Sequence, residues 1–324
     1  MKTGSVSIRN KKENGDKKTA KKADIAVSRS HKILEYNYFL MCLPGLLWIF
    51  FFSIVPMRGI ILAFEDYNPG LGMWKSQLVG LDNFKYLFEL ADAKRVIVNT
   101  FIIAGMKIIF NIVVPVLFAL MLNEVKSLRY KKIVQTAVYL PHFLSWVILA
   151  SVILNIFGSD GIVNQIRGLF GGTPLIFFSE SKYFRGLAIG SDVWKEFGFN
   201  AVIYLAALTG IDPTLYEAAA IDGCGRFKRI WHITIPGIVP TIVVMTVLGM
   251  GNALNAGFDQ IFNLYNPMVY STGDIIDTWV YRIGLVNLQF SLATTAGLFK
   301  SVISFILIAV SYLIAYKAAD YKVF

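Results

Sequence analysis

Six long apolar runs constrain this chain more than anything else in it. They cover residues 39–64, 96–122, 133–157, 186–211, 236–258 and 293–316. Each supplies the ~20 apolar residues that an α-helix needs to cross a bilayer. None alternates polar and apolar residues for long, which disfavours a β-barrel. With 56% of its residues hydrophobic, a soluble domain of this length would have too little interior to hide them, whereas lipid-facing helices need none. The runs predict an all-α integral membrane protein with six transmembrane helices.

Charge gives those helices a direction. Of a formal net charge of +10, residues 1–32 hold a surplus of +7, with ten basic against three acidic side chains. Residues 1–38 therefore read as a basic cytosolic tail, disordered at its start, and not as a nucleic-acid-binding arm. Residues 123–132 carry Lys126, Arg129, Lys131 and Lys132 against Glu124. Residues 212–235 carry Arg226, Lys228 and Arg229, and the C-terminus Lys317 and Lys322. With six spans, all of these segments fall on one face, which the positive-inside bias makes cytoplasmic, both termini included. The first run is too long for a signal-peptide core and no small-residue cleavage site follows it, so it reads as a retained helix. Residues 39–324 then form one transmembrane domain, punctuated by Pro44, Pro56, Pro115, Pro240, Gly249 and Gly251. Such residues serve equally as packing kinks or as gating points.

Bond chemistry has little support. There is no G-x-x-x-x-G-K-[ST] phosphate loop. His31, His142 and His232 do not cluster, and Cys42 and Cys224 suggest neither a metal site nor a disulfide. No catalytic residue, metal ligand or cofactor bound by this chain is expected. Inside the spans, Arg58 lies near an end and can snorkel. Lys107 falls near the middle of the second run, with Asn111 one turn on along the same face. Two readings of Lys107 stand side by side: a pathway cation that attracts an anionic ligand, or a member of an interhelical ion pair. Asn200, Tyr204, Asn252 and Asn255 carry the donors and acceptors that sugar hydroxyls need, and equally those of interhelical hydrogen bonds. The spans read as free of deep Asp or Glu, which disfavours an ion-coupled secondary sugar transporter, and the lack of clustered catalytic groups disfavours a membrane-embedded enzyme.

The loop after the fourth run is the most informative stretch. Asp212 suits a helix N-cap, Pro213 the first helical position, and Gly223 the left-handed residue that ends a helix. A short helix over about residues 213–223 would present Glu217 beside the small residues Ala218, Ala219 and Ala220, which let another surface approach closely. The sequence Glu217-Ala218-Ala219, then Gly223, Ile233 and Ile235-Pro236, resembles the Glu-Ala-Ala loop of binding-protein-dependent ABC importer permeases. It departs from that pattern at Ile235 for Leu and Cys224 for Ala. Val79-Gly80-Leu81-Asp82-Asn83-Phe84, Asn99-Thr100, Gln135 and Tyr139–Trp146 extend the likeness to carbohydrate permeases of type I fold. Within these the chain looks like the subgroup that imports complex oligosaccharides and polysaccharides, the first permease of alginate importers in particular.

The resemblance implies a coupling helix seated in a cytosolic ATPase, with Glu217, Ala218, Ala219, Asp222 and Gly223 at the contact. It further implies a second, different but homologous permease and two ATPase subunits that use ATP and Mg. An extracytoplasmic solute-binding protein would deliver an oligo- or polysaccharide, and the chain would sit in the bacterial cytoplasmic membrane. No nucleic-acid partner is implied.

Overall fold

The structure, a computed structural model, describes residues 38–251 and 254–319. The tail expected over residues 1–38 falls outside them but for Tyr38, as does Asn252. The chain divides into two compact units, residues 1–60 and 61–324.

The first unit is described from Tyr38, where helix α1 (Tyr38–Phe64) begins. No residue of α1 up to Ile60 is buried. Its hydrogen-bonding loosens to a π-turn over Phe50–Ile54 and then tightens to 3₁₀ over Val55–Phe64. Pro56 sits at that change, and a proline removes one donor from the helical ladder.

In the second unit, two two-residue strands, β1 (Glu65–Asp66) and β2 (Gln77–Leu78), pair antiparallel, Glu65 with Leu78 and Asp66 with Gln77. Helices α2 (Asp82–Glu89) and α3 (Ala91–Asn123) follow. The 33 residues of α3 extend about 50 Å. Next come α4 (Leu128–Tyr139), a 3₁₀ turn over Leu140–Phe143, α5 (Trp146–Ile156), α6 (Ile162–Leu169) and α7 (Ser181–Thr209). The loop helix α8 (Pro213–Ile221) leads to α9 (Arg226–Arg229), a π-turn and α10 (Ile235–Gly251). Three short helices, α11 (Phe258–Leu264), α12 (Tyr270–Gly273) and α13 (Ile276–Tyr281), precede the last long helix, α14 (Phe290–Ala319).

Four described helices are long and apolar enough to cross a membrane: α1, α3, the continuous run Arg226–Met250 and α14. A fifth is added if α4 and α5 count as one span. Two expectations need correction here. The run at 133–157 is not one straight helix: it breaks between Phe143 and Trp146 and bends by 107°. Pro141 lies in the 3₁₀ turn just before the break, and Ser145 caps the new helix by accepting from the Ile148 amide at 3.4 Å. The run at 186–211 does fold as the 29-residue α7, but it carries Asp192, Lys195 and Glu196 and so is not a plain apolar span.

Three apolar clusters hold the second unit together. Ile103, Leu149, Phe184 and Ile261 join α3, α5, α7 and α11. Leu87, Val96, Trp279 and Leu292 join α2, α3, α13 and α14. Ala119, Ala201, Tyr204 and Ile238 join α3, α7 and α10. The broken helix approaches α7 so closely that a Cβ on Gly198 would lie 2.2 Å from the Val138 carbonyl oxygen, a distance only glycine permits. Side chains satisfy the backbone where helices stop. Asn83 Nδ2 donates to the carbonyls of Ala63 and Glu65 at 3.1 and 2.9 Å. Asn99 Nδ2 donates to that of Asp274 at 3.1 Å, and the Ile276 amide donates to Thr100 Oγ1 at 2.8 Å.

Candidate functional site

The polar residues of α3 and α7 converge on one cavity. Lys107 Nζ lies 2.9 Å from Asp192 Oδ1, with side chains only 8% and 16% exposed. Lys107 also donates to the Ala256 carbonyl at 2.8 Å and to Gln260 Oε1. Asn111 Nδ2 donates to Asp192 Oδ2 at 2.9 Å. Gln260 Nε2 in turn donates to the Ala188 carbonyl and to Ser191 Oγ, at 2.6 and 2.8 Å. A buried ion pair holds only when further hydrogen bonds satisfy both partners, and α3, α7 and α11 together supply them. Beside this pair opens a cavity of about 340 Å³ lined by Lys107, Asn111, Asp192, Asn200, Tyr204 and Asn255. Of the five pathway candidates read from the sequence, the four that lie in the described residues all face this one space.

A second charged group lies further along α7. Lys195 Nζ donates to the His142 carbonyl at 2.7 Å and reaches Glu196 Oε1 at 3.1 Å. Glu196 Oε2 is 2.7 Å from His142 Nδ1. The His142 ring stacks on Phe199 with centroids 3.9 Å apart. These contacts fasten the break of the third run to α7. A third group joins α13 to α14: Lys300 Nζ lies 2.6 and 2.8 Å from the two Asp277 oxygens and 2.9 Å from Asn255 Oδ1.

The expectation of spans without deep carboxylates is therefore wrong for Asp192 and Glu196. Each is tolerated because a lysine meets it. Ion coupling is therefore not disfavoured on that ground. The overlooked residues Asp192, Lys195, Glu196 and Lys300 carry their own signal, since each is a charge inside a run otherwise apolar enough to span.

At the other candidate site, Asp212 caps α8 by accepting from the Thr214 amide at 2.9 Å, and that bond holds its carboxyl below the usual carboxylate range. Gly223 has φ +72°. The amide of Cys224 donates to the Ala219 carbonyl at 2.8 Å and that of Gly223 to Ala220 at 3.2 Å, the paired bonds of a Schellman ending. Glu217, Ala218 and Asp222 are exposed and Ala219 half-buried. The loop also presents Ile221 at 87% and Phe227 at 89% exposure. His232, by contrast, is spent locally, its Nδ1 2.9 Å from the Lys228 carbonyl oxygen.

Long apolar helices around a polar cavity, with a capped loop helix exposing an apolar tip, define the chain as a membrane transport subunit. Over residues 111–323 it matches the family of binding-protein-dependent transport system inner membrane components, and it belongs to that family. It is 42% identical to protein LplB of Bacillus subtilis (strain 168) over 280 residues, covering 86% of this chain and 88% of that one. It is 40% identical over 291 residues to the polygalacturonan/rhamnogalacturonan transport system permease protein YteP of the same organism, covering 89% and 91%. Among solved structures it is similar to a chain of a bacterial ABC transporter involved in the import of the acidic polysaccharide alginate. That match has a TM-score of 0.81 and 38% identity and covers 87% of this chain and 96% of that one. A second match, with TM-score 0.80 at the same identity, is to the bacterial alginate ABC transporter in complex with alginate pentasaccharide-bound periplasmic protein. The chain is thus a sugar ABC importer permease, a non-enzymatic subunit whose energy comes from ATP hydrolysis by partner ATPases.

Proposed function

We propose that this permease translocates an acidic oligo- or polysaccharide, alginate or a similar uronate polymer, by alternating access. The observation that carries the reading is the cavity at Lys107. It sets a cation–carboxylate pair beside three neutral hydrogen-bonding side chains, Asn200, Tyr204 and Asn255, in a chain whose relatives include a polygalacturonan permease and an alginate importer. Asn111 Oδ1 is buried and has no hydrogen-bond partner among the described residues. Asp192 keeps Lys107 from standing as a bare charge when the site is empty, and a ligand carboxylate is drawn to Lys107 beside it.

Six spans carry the cycle: α1, α3, the α4–α5 pair, α7, the helix from Arg226 and α14, with both termini in the cytoplasm. A solute-binding protein delivers the sugar at the outer face. A second, homologous permease completes the pathway. Two ATPase subunits, binding ATP and Mg, close around α8, where Glu217, Ala218, Ala219, Asp222 and Gly223 make the contact and pass the motion on.

Uptake by the assembled transporter in proteoliposomes, offered acidic and neutral oligosaccharides of equal length, tests the substrate. Acidic sugars are expected to enter with ATP and neutral ones to enter more slowly. Equal or faster entry of the neutral sugars would overturn the acidic assignment.

A further inference from the structure

A second cavity adjoins the first. It measures about 470 Å³, and its lining includes Asn255, Asp277, Gly297, Lys300, Ser304 and Phe305. Asn255 lines both spaces. Each cavity therefore has a lysine–aspartate pair in its wall, and one asparagine stands between them. We infer that the Lys300–Asp277 cavity is a second sugar subsite, which holds a further acidic residue of an oligosaccharide whose first residues occupy the Lys107 cavity.

Chemistry and size both point there. A bridge between α13 and α14 needs no open space beside it, yet Lys300 and Asp277 border one. Lys300 lies on a helix long and apolar enough to cross a membrane, where charge facing a cavity marks a water-filled path. The lining combines what a uronic acid asks of a protein. Lys300 meets its carboxylate, Asp277 and the serine hydroxyl meet ring hydroxyls, and the ring of Phe305, 72% exposed, offers an apolar face to the C–H side of the sugar. Both cavities fall in the ~300–1,000 Å³ range of small-molecule sites, so each is matched to a short stretch of a chain and neither to a polymer. Joined at Asn255, they form a track along which successive residues meet similar groups.

Gly297 allows a clean test. It lines the second cavity and not the first, and a Cβ there meets nothing within 4 Å, so Gly297→Leu starts a side chain in open space beside the cavity. Leucine is also the better helix former. Gly249 lines the first cavity with the same freedom and serves as the matched control.

The inference rests on the proposed acidic substrate, and uptake by the assembled transporter, measured for uronate oligosaccharides of two to five residues, separates the two. Gly297→Leu is expected to leave disaccharide uptake near wild type and to cut pentasaccharide uptake by about tenfold or more, the scale of steric exclusion from a pocket. Gly249→Leu is expected to cut both. Lys300→Gln/Asp277→Asn, which keeps shape but removes both charges, should slow an acidic pentasaccharide more than a neutral one. If the wild type carries no acidic sugar, the parent reading falls and this one with it. If the wild type carries them but Gly297→Leu affects all lengths alike or none, or if the charge-free variant slows acidic and neutral sugars equally, the second subsite alone is overturned.

Discussion

Charge inside the membrane decides what individual residues can do here. Lys107 is conspicuous in the sequence, a lone cation in a long apolar run. Its partner Asp192 lies 85 positions away on another helix, and nothing in the spacing connects them. Only the packing of α3 against α7 brings them to 2.9 Å, so the polar character of the site was legible and its pairing was not. The pair also changes what a substitution means. Lys107→Met removes the cation and strands Asp192, and breaking such a buried pair costs ~3–5 kcal/mol. The single variant is expected to melt well below wild type in detergent and to lose acidic-sugar uptake. Lys107→Met/Asp192→Leu is expected to regain most of the stability, because no bare charge remains, yet still to lose that uptake. Wild-type uptake of acidic sugar by the double variant would confine Lys107 to a structural role.

At the scale of elements, the apolar runs announce α3, α7 and α14, and Asp212, Pro213 and Gly223 announce α8. The 107° bend between α4 and α5 is not announced by length or hydropathy, which merge the two halves into one run. Its cause is local, with Pro141 withholding a donor and Ser145 restarting the helix. The same explanation covers the short sequence blocks that resemble other carbohydrate permeases. Asn83 and Tyr139–Trp146 sit where helices start or turn, and Asn99-Thr100 lies within α3 but serves another helix end, bonding the Asp274 carbonyl and the Ile276 amide where α13 begins. The loop helix tests this logic. A β-branched residue at φ +72° is strained by ~1–2 kcal/mol, so Gly223→Val is expected to open the Schellman ending and misplace α8. Glu217→Ala leaves the backbone as it is and removes only an exposed carboxylate. Both variants should insert normally and show reduced substrate-stimulated ATP hydrolysis in the assembled transporter. The Glu217→Ala defect should be partly overcome by excess ATPase subunit, whereas the Gly223→Val defect should not. Full coupling in Glu217→Ala would remove that side chain from the contact.

The whole molecule is incomplete by itself, and its exposed apolar surface says so. Helix α1 buries nothing along residues 38–60, and the loop after α7 ends in Ile221 and Phe227, almost wholly exposed. Lipid covers the first on physical grounds. The second lies beside the basic residues Arg226, Lys228 and Arg229, which the proposed orientation puts in cytoplasmic water, where an apolar tip calls for a protein partner. The two native cysteines report on both points. Cys42 is exposed on α1, within an apolar span where a charged reagent cannot follow. Cys224 is half-buried and directly follows Gly223 at the tip of the loop. A membrane-impermeant maleimide is therefore expected to label Cys224 and spare Cys42, and to do so in inside-out vesicles but not in intact cells. Restoring the ATPase subunits before labelling should slow modification of Cys224 by about tenfold or more, the factor that corresponds to ~1.4 kcal/mol of protection. Labelling of Cys224 from outside intact cells would invert the orientation and with it the six-span arrangement. Unchanged labelling in the presence of the ATPases would mean that they dock elsewhere, and that the apolar tip at Ile221 and Phe227 meets some other surface.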